Sequence, residues 1–312
     1  MAGDPFHEGE MALQTQAGVR ERLAQFGGRV IRDFMPDQHR EFFEQLPFLV
    51  VGSLDAAGQP WASVVAGAPG FMRSPDDRHL VVFARPVERD PLATALAPGA
   101  HLGMLGIEPH TRRRNRLNGR VTESDARGFV VEVVQSFGNC PRYIQARQPE
   151  FIAHPRVAGP REGLESLDER AVEWIHAADT FFIATAHPDA AQGDGERSHG
   201  VDVSHRGGRP GFVRVEGDVL TLPDYNGNFY FNTLGNLLVN PRCGLLFIDF
   251  DTGGVLQVAG RAEIVTEVDR VREFQGAERL VRIQVTGAWR TRNALPLRWG
   301  AAEMSPVLVA MA

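Results

Sequence analysis

The chain has 312 residues, of which 43 % are hydrophobic and 23 % charged, with a formal net charge of −6 and a pI of about 5.9. This length predicts about two domains, and the 33 glycines and 20 prolines favour turns and short strands over long helices. The acidic balance argues against nonspecific binding to nucleic acid or to an anionic membrane surface.

Cysteine content and hydropathy narrow the class of protein further. Only Cys140 and Cys243 are present, without the spacing of a zinc site or a disulfide framework. No apolar run reaches the length of about 18 residues that a membrane span needs. We therefore expect a cytoplasmic protein with no metal site and no membrane segment.

The first half is predicted to be mainly β. Residues 1–40 are expected to form an N-terminal helical extension, and Pro36 begins another helix in PDQHREFFEQL. From Phe48, FLVVGSL, DAAGQP and WASVVAG have the composition of strand, turn and strand. Further strands follow, and the first domain is predicted over 41–153.

The second half repeats this plan after a linker. HPRVAGPREG, at 154–163, is rich in proline and glycine and is predicted to connect two domains. SLDERAVEWIHAA then favours a helix and TFFIATA a strand, as FFEQL and FLVVGSL do earlier. The second domain is predicted over 164–312.

Comparing the chain with itself supports a tandem duplication. A shift of 141 positions places LGMLGIEPHTRRRNRLNGRVTE, from Leu102, over CGLLFIDFDTGGVLQVAGRAEI, from Cys243, without a gap. The identical pairs are Gly103 and Gly244, Leu105 and Leu246, Ile107 and Ile248, Thr111 and Thr252, Gly119 and Gly260, and Arg120 and Arg261. The fold is therefore predicted to be two small antiparallel barrels with flanking helices.

The first copy carries an arginine cluster that the second copy lacks. Arg112, Arg114 and Arg116 fall on one face if the segment is a strand, together with Asn118 and Arg120. Three interpretations stay open: a rim that faces solvent or a subunit's carboxylates, a site for a phosphate-bearing ligand, and nucleic-acid binding. The last has the least support, because aromatic residues do not alternate with the arginines.

The second half contains a candidate anion site. Ser204, Arg206 and Gly207 combine a hydroxyl, a cation and a bare backbone amide, and DYNGN at 224–228 is a turn predicted to open a helix near Phe229. Ordinary hairpin turns would have the same composition. The motifs GxSxG, GxGxxG and the P-loop do not occur, so no catalytic side chain is assigned.

These segments resemble a known family. DVSHRGGRPGFVRV, LPDYNGN and NLLVNPRCGLLF are similar to the FMN-binding split-barrel family of pyridoxamine 5′-phosphate oxidase, and IEPHTRRRNRLNGRV and QSFGNCPRYIQ to its longer, two-barrel members. The resemblance implies tandem split β-barrels with FMN at an interface between two barrels. The cofactor contacts that it implies, with those inferred from the internal repeat, are Ser204, Arg206, Gly207, Asn226, Asn228, Thr233, Gln257, Arg112, Arg114 and Arg116.

The chain departs from the family pattern at the helix start. Proline is expected at His205, a basic residue at Tyr230 and an acid at Asn232, so this site lacks a cation that the first-copy arginines would supply, from the same chain or a second subunit. The resemblance implies a homodimeric, flavin-dependent oxidoreductase acting on a small molecule, with NAD(P)H or a partner reductase as electron source. The alternatives are FAD, deazaflavin or haem as cofactor, and a non-catalytic binding or storage module.

Overall fold

A computed structural model describes residues 4–192 and 196–311 and contains two large antiparallel sheets of identical strand order. The sheets run β2-β1-β5-β6-β7-β4-β3 and β11-β10-β14-β15-β16-β13-β12. The helices are α1 (Glu8–Gln16), α2 (Arg20–Val30), α3 (Asp37–Gln45), α4 (Pro91–Ala95), α5 (Glu169–Ala177), α6 (Asn232–Val239), α7 (Val268–Val271) and α8 (Pro306–Ala310). Across the described ranges, no helix combines the length and the apolar character needed to cross a membrane.

The strands of the first half come before position 152. They are β1 (Phe48–Leu54), β2 (Pro60–Ala66), β3 (Met72–Arg73), β4 (His79–Val82), β5 (His101–Glu108), β6 (Arg113–Asp125), β7 (Gly128–Gly138) and β8 (Pro149–Phe151). Those of the second half are β9 (Glu162–Leu164), β10 (Thr180–Ala186), β11 (Val201–Gly207), β12 (Arg214–Glu216), β13 (Val219–Tyr225), β14 (Arg242–Ile248), β15 (Val255–Val265), β16 (Ala277–Thr291) and β17 (Leu297–Trp299). The predicted fold class, mainly β with flanking helices and a repeated antiparallel barrel, is confirmed.

Strand register repeats with the 141-residue offset. Leu105 pairs with Arg116 between β5 and β6, and Leu246 pairs with Gln257 between β14 and β15. The pairing of β6 with β7 shifts between Asn118 and Gly119, and that of β15 with β16 shifts at the equivalent step, Ala259 to Gly260. The two halves therefore share this irregularity as well as their topology.

Elements near the predicted domain boundaries connect neighbouring parts of the chain. Helix α3 crosses the predicted end of the extension at residue 40, and its Phe42 and Phe43 lie in the core of the first half. Strand β8 pairs with β17 of the second half, and β9, which begins inside the predicted linker, pairs with β16. The segment from 149 to 164 thus adds strands to the second half.

A third hydrophobic core joins the halves. Successive side chains of β1 alternate, so Leu49 and Val51 enter the core of the first half while Phe48 and Val50 pack in a shared core with Phe182 of β10. Both faces of β1 are therefore buried, which explains its continuous apolar sequence. The two sheets therefore pack against each other through this shared core.

One pair of repeated glycines lies where the halves approach closely. A Cβ on Gly103 would lie 2.4 Å from the carbonyl oxygen of Val201, and one on Gly244 would lie 2.2 Å from that of Pro60. Val201 and Pro60 are themselves 141 residues apart. A side chain at either glycine would push the two halves apart, which gives a physical reason for the Gly103 and Gly244 match.

Candidate functional site

A polar cleft between the two halves contains most of the candidate residues. The second half contributes the end of β11, the turn after β13 and the start of α6, and the first half contributes β6 and the segment after β7. The residues lining it that the sequence had singled out as cofactor contacts are Arg114, Arg116, Ser204, Arg206, Gly207, Asn228 and Thr233.

Alternation along β11 directs two polar side chains to the cleft. The Oγ1 of Thr233 donates a 3.0 Å hydrogen bond to the Oγ of Ser204, joining β11 to α6. Arg206, two residues further on, donates from Nη1 to Asp224 Oδ1 at 2.6 Å. The positive charge of Arg206 is thus already balanced by a carboxylate, whereas the two hydroxyls remain able to accept or donate further bonds.

Helix α6 presents its N-terminus to the cleft. It begins at Asn232, three residues later than predicted, because Phe229 and Phe231 both adopt left-handed backbone with φ of 61°. No side chain in the described part of the chain caps the helix, and Asn232, Thr233 and Leu234 all line the cleft. Its first turn therefore offers backbone N–H donors and the positive end of the helix dipole to an anion.

The first half supplies two arginines from β6. Arg116 is buried and donates from Nη1 to Asp202 Oδ1 at 2.7 Å and from Nη2 to Ser204 Oγ. Its Nε has no hydrogen-bond partner among residues 4–192 and 196–311. Arg114 donates to two backbone carbonyls, Nε to Cys140 at 2.7 Å and Nη1 to His205 at 3.3 Å. Within the described part of the chain, Arg114 forms no ion pair with a carboxylate.

The local field is strongly positive. Burial, with Arg116 and Arg206 nearby, lowers the pKa of Arg114 to about 10, so the guanidinium stays charged at neutral pH. Burial and the charges of Arg114, Arg206 and Arg147 hold the pKa of His205 well below its usual range. His205 is therefore neutral at neutral pH, and the described residues include no carboxylate paired with Arg114.

Three predicted contacts lie elsewhere. Arg112 is not part of the strand: it follows a 3₁₀ helix (Pro109–Thr111) in left-handed conformation, and it pairs with Glu303 at 2.8 Å. The prediction that Arg112 shares one strand face with the arginines that follow it is therefore wrong. Asn226 borders the cleft and bonds Arg142 and Glu278 at 2.7 and 2.8 Å. Gln257 lies at the equivalent position between the halves, described next.

The first half contains a closed counterpart of the cleft. Ser63 and Gln257 stand 141 residues from Ser204 and Arg116, and the carboxylate of Asp90, the counterpart of Phe231, lies between them. Asp90 Oδ1 accepts from Ser63 Oγ at 2.5 Å and from the N–H of Leu92 in α4 at 2.9 Å, and Oδ2 accepts from Gln257 Nε2 at 3.1 Å. Here the protein's own carboxylate satisfies the helix N-terminus and the serine.

The linker completes this closure. Arg161 lies over the rings of Trp61 and Trp289, with its guanidinium carbon 5.3 and 4.6 Å from their centroids, and its charge acts on Asp90. The two tryptophans pack edge to face at 4.8 Å. Trp289 therefore packs in the closed counterpart and not in the open cleft.

Sequence reasoning missed the segment after β7 as part of the site. Asn139, Arg142 and Tyr143 line the cleft, and the Tyr143 hydroxyl donates to the carbonyl of Asn226 at 2.9 Å. The carbonyl of Tyr143 passes so near Gly207 that a Cβ there would lie 2.0 Å from it. The only sequence signal was QSFGNCPRYIQ, which shows similarity to the family but not which residues face the cleft.

Comparison with known proteins agrees with the duplicated fold. The family model described as pyridoxamine 5′-phosphate oxidase matches twice, over residues 35–158 and 167–296. No curated protein matches significantly.

Three solved structures are each similar to about two fifths of the chain. HupZ from Group A Streptococcus has 14 % identity and TM-score 0.31, covering 39 % of this chain and 93 % of its own. An FMN-binding protein from Syntrophomonas wolfei has 8 % identity and TM-score 0.29, with coverages of 38 % and 82 %. An FAD-binding protein from Mesorhizobium loti has 12 % identity and TM-score 0.28, with coverages of 42 % and 97 %.

Proposed function

The chain belongs to the pyridoxamine 5′-phosphate oxidase family, and from this premise we propose that it is a flavin-dependent oxidoreductase that binds FMN in the cleft between its halves. A bound flavin would supply hydride or electron exchange at its N5 atom. The small-molecule substrate, the cytoplasmic location, the homodimer and the NAD(P)H or reductase electron source remain predictions made from the sequence.

One observation carries the proposal: Arg114 is a guanidinium in the cleft whose hydrogen bonds, across the described ranges, go to two backbone carbonyls. Burying a cation without a counter-charge is costly, so an anion is the expected partner. The neighbouring Arg116 Nε and the uncapped start of α6 are further donors without an acceptor. A terminal phosphate fits this donor set, because it can accept from a guanidinium, a hydroxyl and helix N–H groups together.

The remaining cleft residues suit the rest of the ligand. Tyr225, Phe229 and Phe231 line the cleft beside the polar end and offer aromatic surface for a planar ring. Asn228, also in the lining, carries an amide that can hydrogen-bond a polyol chain.

The proposal is tested by comparing FMN with riboflavin, which lacks the phosphate. We expect the purified chain to bind FMN at least tenfold more tightly than riboflavin, as measured by quenching of flavin fluorescence. Arg114→Gln should weaken FMN binding by roughly 10- to 100-fold, the value of a hydrogen bond to a charged group, and leave riboflavin binding unchanged.

Arg113→Gln is the matched control. Arg113 is the adjacent residue of β6, but its Nη2 donates to the carbonyl of Gln38 and its guanidinium lies over Phe42, outside the cleft. Equal affinity for FMN and riboflavin, or equal effects of the two substitutions, would contradict phosphate binding at Arg114. The chain could instead bind FMN that neither NADH nor NADPH reduces and that candidate substrates do not reoxidise after reduction with dithionite. That result would support a flavin-binding module without catalysis.

A further inference from the structure

A cluster of histidines and carboxylates lies outside the cleft, where the N-terminal helix meets the second half. His7 and Glu8 stand at the start of α1, His187 follows β10, and Asp189 and His199 belong to the connection from β10 to β11. About 180 positions of sequence separate the two groups, so no local motif connects them. The fold alone brings them together.

Two imidazoles in the cluster stack with matching orientation. The rings of His187 and His199 lie 3.7 Å apart at an angle of 9°. Their Nε2 atoms both face Glu8, at 3.1 Å from Oε1 for His187 and 4.0 Å from Oε2 for His199. Their Nδ1 atoms both face Asp189 Oδ2, at 3.7 and 4.0 Å. One carboxylate therefore lies at each edge of the stack.

His7 adds a third imidazole to the Glu8 edge. Its Nδ1 lies 3.9 Å from Glu8 Oε2 and accepts a 3.2 Å hydrogen bond from the N–H of Gly9, which assigns the ring proton to Nε2. That Nε2 is buried, has no hydrogen-bond partner among the residues that the structure describes, and lies 3.7 Å from Glu10 Oε2. Because the single lone pair of Nδ1 accepts from Gly9, metal binding at Nδ1 would take the place of this hydrogen bond.

We propose that this cluster is a structural site for a divalent transition metal such as Zn²⁺, bound by His7 Nδ1, Glu8, His187 Nε2 and His199 Nε2. In a tetrahedral zinc site, bonds of about 2.1 Å place neighbouring ligand atoms roughly 3.4 Å apart. The nitrogen of His187 lies 3.1 Å from Glu8 Oε1, and those of His7 and His199 lie 3.9 and 4.0 Å from Glu8 Oε2, so the side chains must converge further to bind one ion. Imidazole and carboxylate donors suit Zn²⁺ rather than the alkaline-earth ions.

The surrounding carboxylates complete the arrangement. Metal binding at Nε2 of His187 moves its ring proton to Nδ1, where Asp189 Oδ2 can accept it in place of the bond that Nδ1 now receives from the Asp189 N–H. Glu10 can likewise accept the ring proton of His7, whose Nε2 lies 3.7 Å from Glu10 Oε2. Such outer carboxylates fix the tautomer of metal-bound histidines.

Binding would fasten α1 to the second half. Two of the ligands come from α1 and two from the strand connection, and α1 packs so closely on α6 that a Cβ on Gly9 would lie 2.2 Å from the carbonyl of Gly235. All four tetrahedral positions are protein ligands, which is typical of structural rather than catalytic zinc. The site does not depend on the flavin proposal.

Cobalt(II) gives a direct spectroscopic test. The untagged full chain, stripped with EDTA and dialysed, is titrated with Co²⁺ and then with Zn²⁺. We expect visible bands of four-coordinate Co²⁺ that saturate at one ion per chain and disappear when Zn²⁺ is added. Glu8→Gln and His199→Gln should each weaken Co²⁺ binding at least tenfold.

His154→Gln is the control, because His154 is exposed in the linker and outside the cluster. Thermal unfolding of each variant in EDTA confirms that it folds, and Zn²⁺ should raise the unfolding temperature of the wild type but not of Glu8→Gln. Absence of a saturable cobalt band, or equal weakening by His154→Gln and the cluster variants, would overturn the proposal.

Discussion

Arg116 and Gln257 occupy equivalent positions of the repeat, but Arg116 lines the open cleft whereas Gln257 lies in the closed counterpart. Arg116 leaves an unpaired Nε beside Ser204, whereas Gln257 Nε2 bonds Asp90 and the carbonyl of Ala62, the latter at 3.0 Å. The sequence predicted both as cofactor contacts, because the repeat aligns them. It could not show that Asp90, 167 positions before Gln257, would satisfy the glutamine.

Acid should destabilise the fold through His39. Burial, with Arg32 and Arg113 nearby, lowers the pKa of His39 to about 4, while its Nδ1 lies 2.9 Å from Ser136 Oγ. Because the unfolded chain takes up this proton near pH 6.5 and the folded chain only near pH 4, stability falls as pH drops through that window, by up to about 3 kcal/mol.

Denaturant unfolding at several pH values measures this effect. The loss of unfolding free energy between pH 6.5 and 4 should be smaller in His39→Gln than in the wild type, since glutamine cannot be protonated. His154→Gln, which changes an exposed histidine, should retain the wild-type slope. A slope in His39→Gln as steep as in the wild type would show that other groups cause the acid sensitivity.

Among the elements, the positions of strands could be predicted more fully than the starts of helices. FLVVGSL and TFFIATA form β1 and β10 as predicted, because buried β-branched and aromatic runs between turns favour strands. Helix α6 starts three residues late, since the left-handed backbone of Phe229 and Phe231 depends on contacts that the local sequence does not encode. That displacement decides which N–H groups face the cleft.

Two glycine substitutions should distinguish the effect of packing between elements on stability from the effect of helix propensity. Gly244→Ala places a Cβ against the carbonyl of Pro60 in β2, so we expect a loss of about 1–3 kcal/mol in unfolding free energy. Gly28→Ala lies in exposed helix α2 with no atom within 4 Å of the new Cβ, and should stabilise by about 0.5–1 kcal/mol. Chemical denaturation measures both, and a neutral Gly244→Ala would mean that β14 and β2 can move apart freely.

For the whole molecule, the open cleft and its closed counterpart predict that only one of the two equivalent sites binds FMN. The cleft at Ser204 is open, whereas the carboxylate of Asp90 occupies the counterpart at Ser63. We therefore expect one FMN per chain by isothermal titration calorimetry. Two FMN per chain would contradict closure of the counterpart while leaving the flavin proposal intact, and no binding would contradict the flavin proposal itself.

The whole-molecule arrangement was the most predictable level, because the 141-residue repeat and the family resemblance both indicated two similar barrels. What the sequence could not provide was the pairing between them. Gly103 against Val201 and Gly244 against Pro60 depend on two sheets meeting face to face, and neither contact leaves a local pattern in the chain. The cleft, built from residues of both halves, was therefore predicted as separate fragments.

Joining the halves in one polypeptide also changes how the site can evolve. In a dimer of identical subunits, every substitution enters both symmetry-related sites at once, so improving one would alter the other equally. Here Asp90 and Phe231, or Gln257 and Arg116, are encoded separately. One site could therefore lose its ligand and become a rigid joint, while selection acted on the other alone.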